Sequence, residues 1–162
     1  MAAYDRDIGT RPSVLDRLID LEPQSSREAL HSNYGSLDDV KNAVRRDLEW
    51  LLNTRRMVSG LGGDLQELKR SVVNYGIPDI TGVDIENKIV GKSLRNEIEE
   101  AIRTFEPRFL DVSVTMEPTS PTDRQIRLRI EAKLDVDPVP EPMVFDTILQ
   151  LGSSTVALNE SS

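Results

Sequence analysis

The chain has 162 residues, room for one ordinary domain with a core, and carries 28 acidic against 20 basic residues for a formal charge of -8. That balance repels phosphate backbones, which speaks against nucleic-acid binding and leaves basic partner surfaces open. The absence of cysteine and the single histidine, His31, exclude disulfides and thiolate chemistry and weaken any histidine cluster or triad. No cofactor and no metal are expected.

Residues 1–12 are polar, with no apolar run resembling a signal peptide, and no later stretch approaches a membrane span. A soluble, cytoplasmic protein is expected. Ser13 can cap a short helix with Val14, Leu15, Leu18 and Ile19 on one side, and residues 22–35 lack periodicity. His31 lies in that irregular stretch and receives no role. Residues 1–35 are therefore read as a partly ordered extension.

Ser36 and Asp39 form a capping box, and Leu37, Val40, Val44, Leu48, Leu51 and Leu52 then draw an apolar stripe on a helix reaching about Arg56. Trp50 lies on the flank of that stripe and is read as a packing residue at the shoulder of the core. Arg55 and Arg56 oppose the helix dipole, and Asn53-Thr54-Arg55 is expected to brace the loop that follows.

Gly60, Gly62 and Gly63 invite a turn, but Asp64 stands where a phosphate loop needs its lysine. Asp64 and Glu67 instead cap a second predicted helix with Leu65, Leu68, Val72 and Tyr75 on one face and Gly76 after its end. A third helix, led by Ser93 or starting earlier, aligns Leu94, Ile98, Ala101, Ile102 and Phe105.

At Glu106-Pro107-Arg108 the period changes from helical to two. Proline stops the helix and restrains the residue before it, so an acid and a base are held in a rigid corner. Leu110, Val112, Val114 and Met116 form the apolar face of a first strand, and residues 117–123 are expected to reverse the chain. Ile126, Leu128, Ile130, Ala132, Leu134 and Val136 alternate with Arg127, Arg129, Glu131, Lys133 and Asp135 in the second. Asp137-Pro138-Val139-Pro140-Glu141-Pro142 reads as a stiff connector. Met143, Phe145, Leu149 and Leu151 mark a third strand, and Thr155 to Leu158 a short last one. The periods call for an α+β fold, an antiparallel sheet of three to four strands with two to three helices on one face. The domain spans residues 36–158, with 159–162 as a disordered tail.

Four ordered stretches, residues 47–56, 71–79, 105–108 and 137–142, resemble TssE, a baseplate subunit family of the bacterial type VI secretion system. Arg11-Pro12-Ser13-Val14-Leu15-Asp16-Arg17-Leu18 also fits that family's N-terminal segment. The family groups with a wedge protein of contractile phage baseplates, and its fold resembles the interlocking domain of sheath subunits. The resemblance implies a non-enzymatic structural subunit beside TssF, TssG and TssK that helps to seat the first sheath layer of TssB and TssC. Its place is then the cytoplasmic side of the inner membrane in a Gram-negative bacterium, without membrane insertion. Strand addition at a free sheet edge, near Val112 to Met116 or after Pro142, offers a physical route.

By itself, the Glu106/Arg108 pair reads as a local brace contributing ~0–1 kcal/mol. The resemblance turns Glu106, Pro107 and Arg108 into a partner-binding corner, with Arg127 and Arg129 as a further docking strip. Loss of either charge is then expected to spare the fold and weaken wedge binding. The alternative is a lysozyme-like peptidoglycan hydrolase with Glu106 as its acid. That chemistry needs two carboxyls across a cleft, and here the nearest charge in sequence is a cation.

Overall fold

A computed structural model of the chain describes residues 37–56, 65–80, 87–120, 125–150 and 158–160, together with Leu18 and Gln24. The expectations for the N-terminal extension and the Ser36 cap lie outside the described residues, except that Leu18 is helical and exposed.

Helix α1 runs Leu37–Asn53 and buries Val40, Ala43, Val44, Leu48, Leu51 and Leu52, the predicted stripe. Asp38 and Asp39 lie in its first turn, where acids oppose the positive end of the dipole. The helix ends before the expected Arg56. Thr54 donates from its hydroxyl to the Trp50 carbonyl at 2.7 Å, and Arg55 donates to the Leu52 carbonyl at 2.9 Å. Arg55 then makes an isolated parallel bridge with Ile77. These contacts tie the helix end to itself and to Ile77; the loop that Asn53-Thr54-Arg55 is expected to brace lies outside the described residues.

The second predicted helix is not continuous. One turn, α2 (Gln66–Lys69), is followed by a 3₁₀ turn over Val72–Asn74, leaving Leu65 exposed and Val72 84 % exposed. Local side chains compete with the helix here: Ser71 donates to the Leu68 carbonyl at 2.8 Å and Asn74 to the Lys69 carbonyl at 2.9 Å. The β-branched Val72 and Val73 add no helical preference. Gly76 does take a positive φ, +108°. A Cβ there would lie 2.5 Å from the Thr54 carbonyl oxygen, so the close approach of these two segments needs glycine.

Helix α3 runs Lys88–Phe105, starting earlier than Ser93 because Asn87 accepts a cap bond from the Ile89 N–H. Leu94, Ile98, Ala101 and Ile102 are buried along it, as the spacing predicts.

The sheet is an antiparallel meander in the order β1-β2-β3-β4, with β1 Phe109–Ser120, β2 Gln125–Leu134, β3 Glu141–Gln150 and β4 Asn159–Glu160. It departs from the sequence reading in five places. Register slips between Phe109 and Asp111, so Phe109 turns inward and Leu110 is 57 % exposed instead of buried. Strand β1 continues through Pro118 to Ser120 where a turn was expected, and Pro142 already pairs with Lys133 inside β3. Thr147 is buried between Phe145 and Leu149 on the inner face. Asn159–Glu160, expected to be disordered, pair with Phe145 and Asp146, while Leu151 and most of the predicted strand from Thr155 lie outside the described residues.

One apolar core joins α1, α3 and the inner sheet face, with Leu48, Leu52, Ile98, Ile102, Leu128, Ile130 and Phe145 among its fully buried members. The α+β fold expected from the periods is the one observed. Among the described residues, no helix is long and apolar enough to cross a membrane.

Candidate functional site

The Glu-Pro-Arg corner sits where α3 ends and β1 begins. Glu106 is the helix C-cap, its N–H bonded to the Ile102 carbonyl at 2.8 Å, and its φ of -120° and ψ of 78° are non-helical, as a residue before proline requires. Its carbonyl accepts from Phe109 at 3.2 Å, and the Arg108 carbonyl accepts from Asp135 at 2.8 Å. Backbone bonds thus pin the corner to both β1 and the end of β2.

Glu106 is 3 % exposed, so its carboxylate must find partners inside the protein. It accepts the Arg108 fork: Oε1 from Nε at 2.6 Å and from the Arg108 backbone N–H at 3.2 Å, Oε2 from Nη2 at 2.5 Å. Nη2 also donates to Asp47 Oδ2 at 2.5 Å, across from α1. Asp47 Oδ1 in turn accepts from Arg46 at 3.2 Å, and the Arg46 guanidinium lies 5.0 Å from the Trp50 ring centroid. Burial alone would lower the Arg108 pKa, but its hydrogen bonds and charge contacts with Glu106 and Asp47 outweigh burial and push it up.

Tyr75 completes the surroundings. Its ring meets Phe105 edge-on at 5.2 Å, and burial, then the charges of Asp47 and Glu106, raise the phenol pKa above its ordinary value. Arg55, which bridges to Ile77, has its pKa lowered by burial despite Asp79.

The structure therefore brings Glu106 and Arg108 together as an internal brace and adds Asp47. Pro107 is exposed at the tip, and the Arg108 side chain is 24 % exposed. The motif reading missed Asp47 as a partner. The available signal was its place beside the α1 stripe, three residues after Val44 and four before Leu51, where a carboxylate faces the edge of the core. Trp50, read as a shoulder residue, is 46 % exposed.

Arg127 and Arg129 lie apart from the corner, on the outer sheet face. Arg129 pairs with Glu131 at 3.1 Å and Asp146 at 3.7 Å, and Lys133 with Asp111 at 3.4 Å. Arg127 faces Glu117 in the strand register. The basic stripe is thus interleaved with acids.

The corner is ill suited to glycoside hydrolysis. Both Glu106 oxygens face Arg108, and that guanidinium fills the space between Glu106 and Asp47 where a sugar would have to sit.

These features define an α+β domain in which a meander sheet is covered on one face by two long helices and locked to them by an internal carboxylate–guanidinium–carboxylate network. The profile described as "Baseplate wedge protein gp25" matches residues 38–139, more than half of the chain. The chain belongs to this baseplate wedge family, a family of structural baseplate proteins. A comparison with curated proteins gives no match.

Proposed function

We propose that the chain is a non-enzymatic structural subunit of a type VI secretion baseplate. In this reading residues 36–158 form the TssE-like domain, which binds the wedge proteins TssF, TssG and TssK and helps to start the TssB–TssC sheath. It works at the cytoplasmic side of the inner membrane of a Gram-negative bacterium. The observation that carries the reading is the wedge-family match over residues 38–139, which includes α1 from its second residue, α3 and the whole junction between α3 and β1.

The junction supports a partner-binding role with divided labour. Glu106 holds Arg108 from below, while Pro107 and the exposed part of Arg108 face outward, so the corner is stiff before a partner arrives. A stiff contact loses little freedom on binding. Arg127 and Arg129 provide a second strip on the outer sheet face.

The burial of Glu106 makes Glu106→Ala a poor probe, because it disturbs the fold along with any interface. Pro107→Gln and Arg127→Gln change exposed groups instead, and the second sets no like charge opposite Glu117. Each variant is expected to keep the thermal midpoint of the parent. Combined, they should lower co-purification of TssF, TssG and TssK from cells making all the baseplate proteins by about tenfold, the equivalent of 1.4 kcal/mol. Full recovery of the wedge proteins with the folded double variant would remove these surfaces from the interface.

A further inference from the structure

Among the described residues, strand β1 is the outermost strand on its side of the sheet, and an unpaired edge is a template for another chain. In an antiparallel pair, alternate residues bond the neighbouring strand and those between turn their N–H and C=O outward. Val112 and Val114 share one parity on β1, and one polar group of each meets helix α3 instead of a strand. Arg103 Nη2 donates to the Val112 carbonyl at 2.7 Å, and the Val114 N–H donates to Glu99 Oε2 at 3.4 Å. Glu99 and Arg103, one helical turn apart, also pair with each other at 2.9 Å.

Together the two side chains offer β1 one donor and one acceptor, as an incoming strand would. Farther along, Pro118 has the same parity as Val112 and Val114 and no N–H to give. The edge thus has one outward group taken at each of two successive positions and lacks a donor at a third.

We propose that Glu99 and Arg103 form a clasp that keeps the outer edge of β1 from pairing with a second copy of the chain. The second copy is the occupant the geometry favours, because about a two-fold axis at Ser113 the Val114 N–H of each copy would donate to the Val112 carbonyl of the other, the same two groups that Glu99 and Arg103 hold. That register places Asp111 opposite Thr115, so it brings no like charges face to face. The clasp is independent of which partner the Glu-Pro-Arg corner binds.

The cysteine-free sequence allows a direct test. Ser113→Cys puts one exposed thiol on β1, at the position where two copies would meet in that register. Disulfide-linked dimer is then measured under mild oxidation in this background with and without Glu99→Ala/Arg103→Ala, which removes one acid and one base and leaves the net charge unchanged. Removing the clasp is expected to raise the linked fraction roughly tenfold, since each lost bond is of the charge-assisted kind. Circular dichroism checks the fold. If the double variant unfolds, Arg103→Met, which keeps the side-chain stem and frees only the Val112 carbonyl, is measured instead and should give a smaller rise. Equal linking with and without the clasp, whether high or low, overturns the proposal.

Discussion

The junction after α3 and the outer face of the sheet both join acids to arginines and lysines, yet their surroundings make them different objects. At the junction, Glu106 is buried and two carboxylates close on one guanidinium, with Tyr75 and Phe105 packed beside them. On the sheet, Arg129, Glu131, Lys133 and Asp111 stand in water, with side chains roughly half or more exposed. Water screens the second set and largely cancels its attraction. At the junction the carboxylate has already lost its hydration, so removing its partner leaves an uncompensated charge. The same kinds of charged groups therefore have unequal consequences in the two places.

The sharpest way to break this contrast is Arg108→Met, which keeps the stem and deletes the guanidinium. It is expected to cost about 3 kcal/mol in urea unfolding, the low end for a broken buried pair because Arg108 itself is partly exposed. A cost under about 1 kcal/mol would place the junction with the sheet surface.

A subtler consequence concerns pH. The Tyr75 phenol titrates above its ordinary value in the folded chain, through burial and then the charges of Asp47 and Glu106. In the unfolded chain it ionises first, near pH 10.0. The stability it contributes is therefore complete below pH 10.0 and is lost as pH rises through the folded value. Tyr75→Phe should make the alkaline fall in stability shallower. An unchanged slope would detach Tyr75 from the network.

The smallest effects belong to the sheet surface. Arg129→Ala and Lys133→Ala should each shift unfolding by no more than about 0.5 kcal/mol, and 1 M salt should erase the difference. A loss of about 2 kcal/mol in either variant would mean that the outer strip is structural, like the junction.

Legibility followed the same divide between local and long-range causes. The stripes of α1 and α3, the alternation of β2 and the helix stop at Pro107 were readable because each follows from neighbours within one or two turns. The second helix misled, since Leu65, Leu68, Val72 and Tyr75 have helical spacing while Ser71 and Asn74 take the carbonyls a longer helix would need. Leu110 misled for another reason: a bulge depends on the facing strand, which the alternation of β1 cannot reveal. The pairing of Glu106 with Arg108 was open to inference at two residues' separation, but Asp47 lies 61 positions from Arg108.

The sequence alone determined α1, α3 and the first three strands as elements, the dry and wet faces of β2 and the rigid corner at Glu106-Pro107-Arg108, because backbone restriction and hydrophobic periodicity act over short spans. Only the tertiary structure decided that Glu106 is buried, that Asp47 shares its cation and that Glu99 and Arg103 reach the edge of β1. Those facts depend on which surfaces meet when α1 and α3 close over the sheet, and charge energetics change with that burial far more than with the identity of the charged residues.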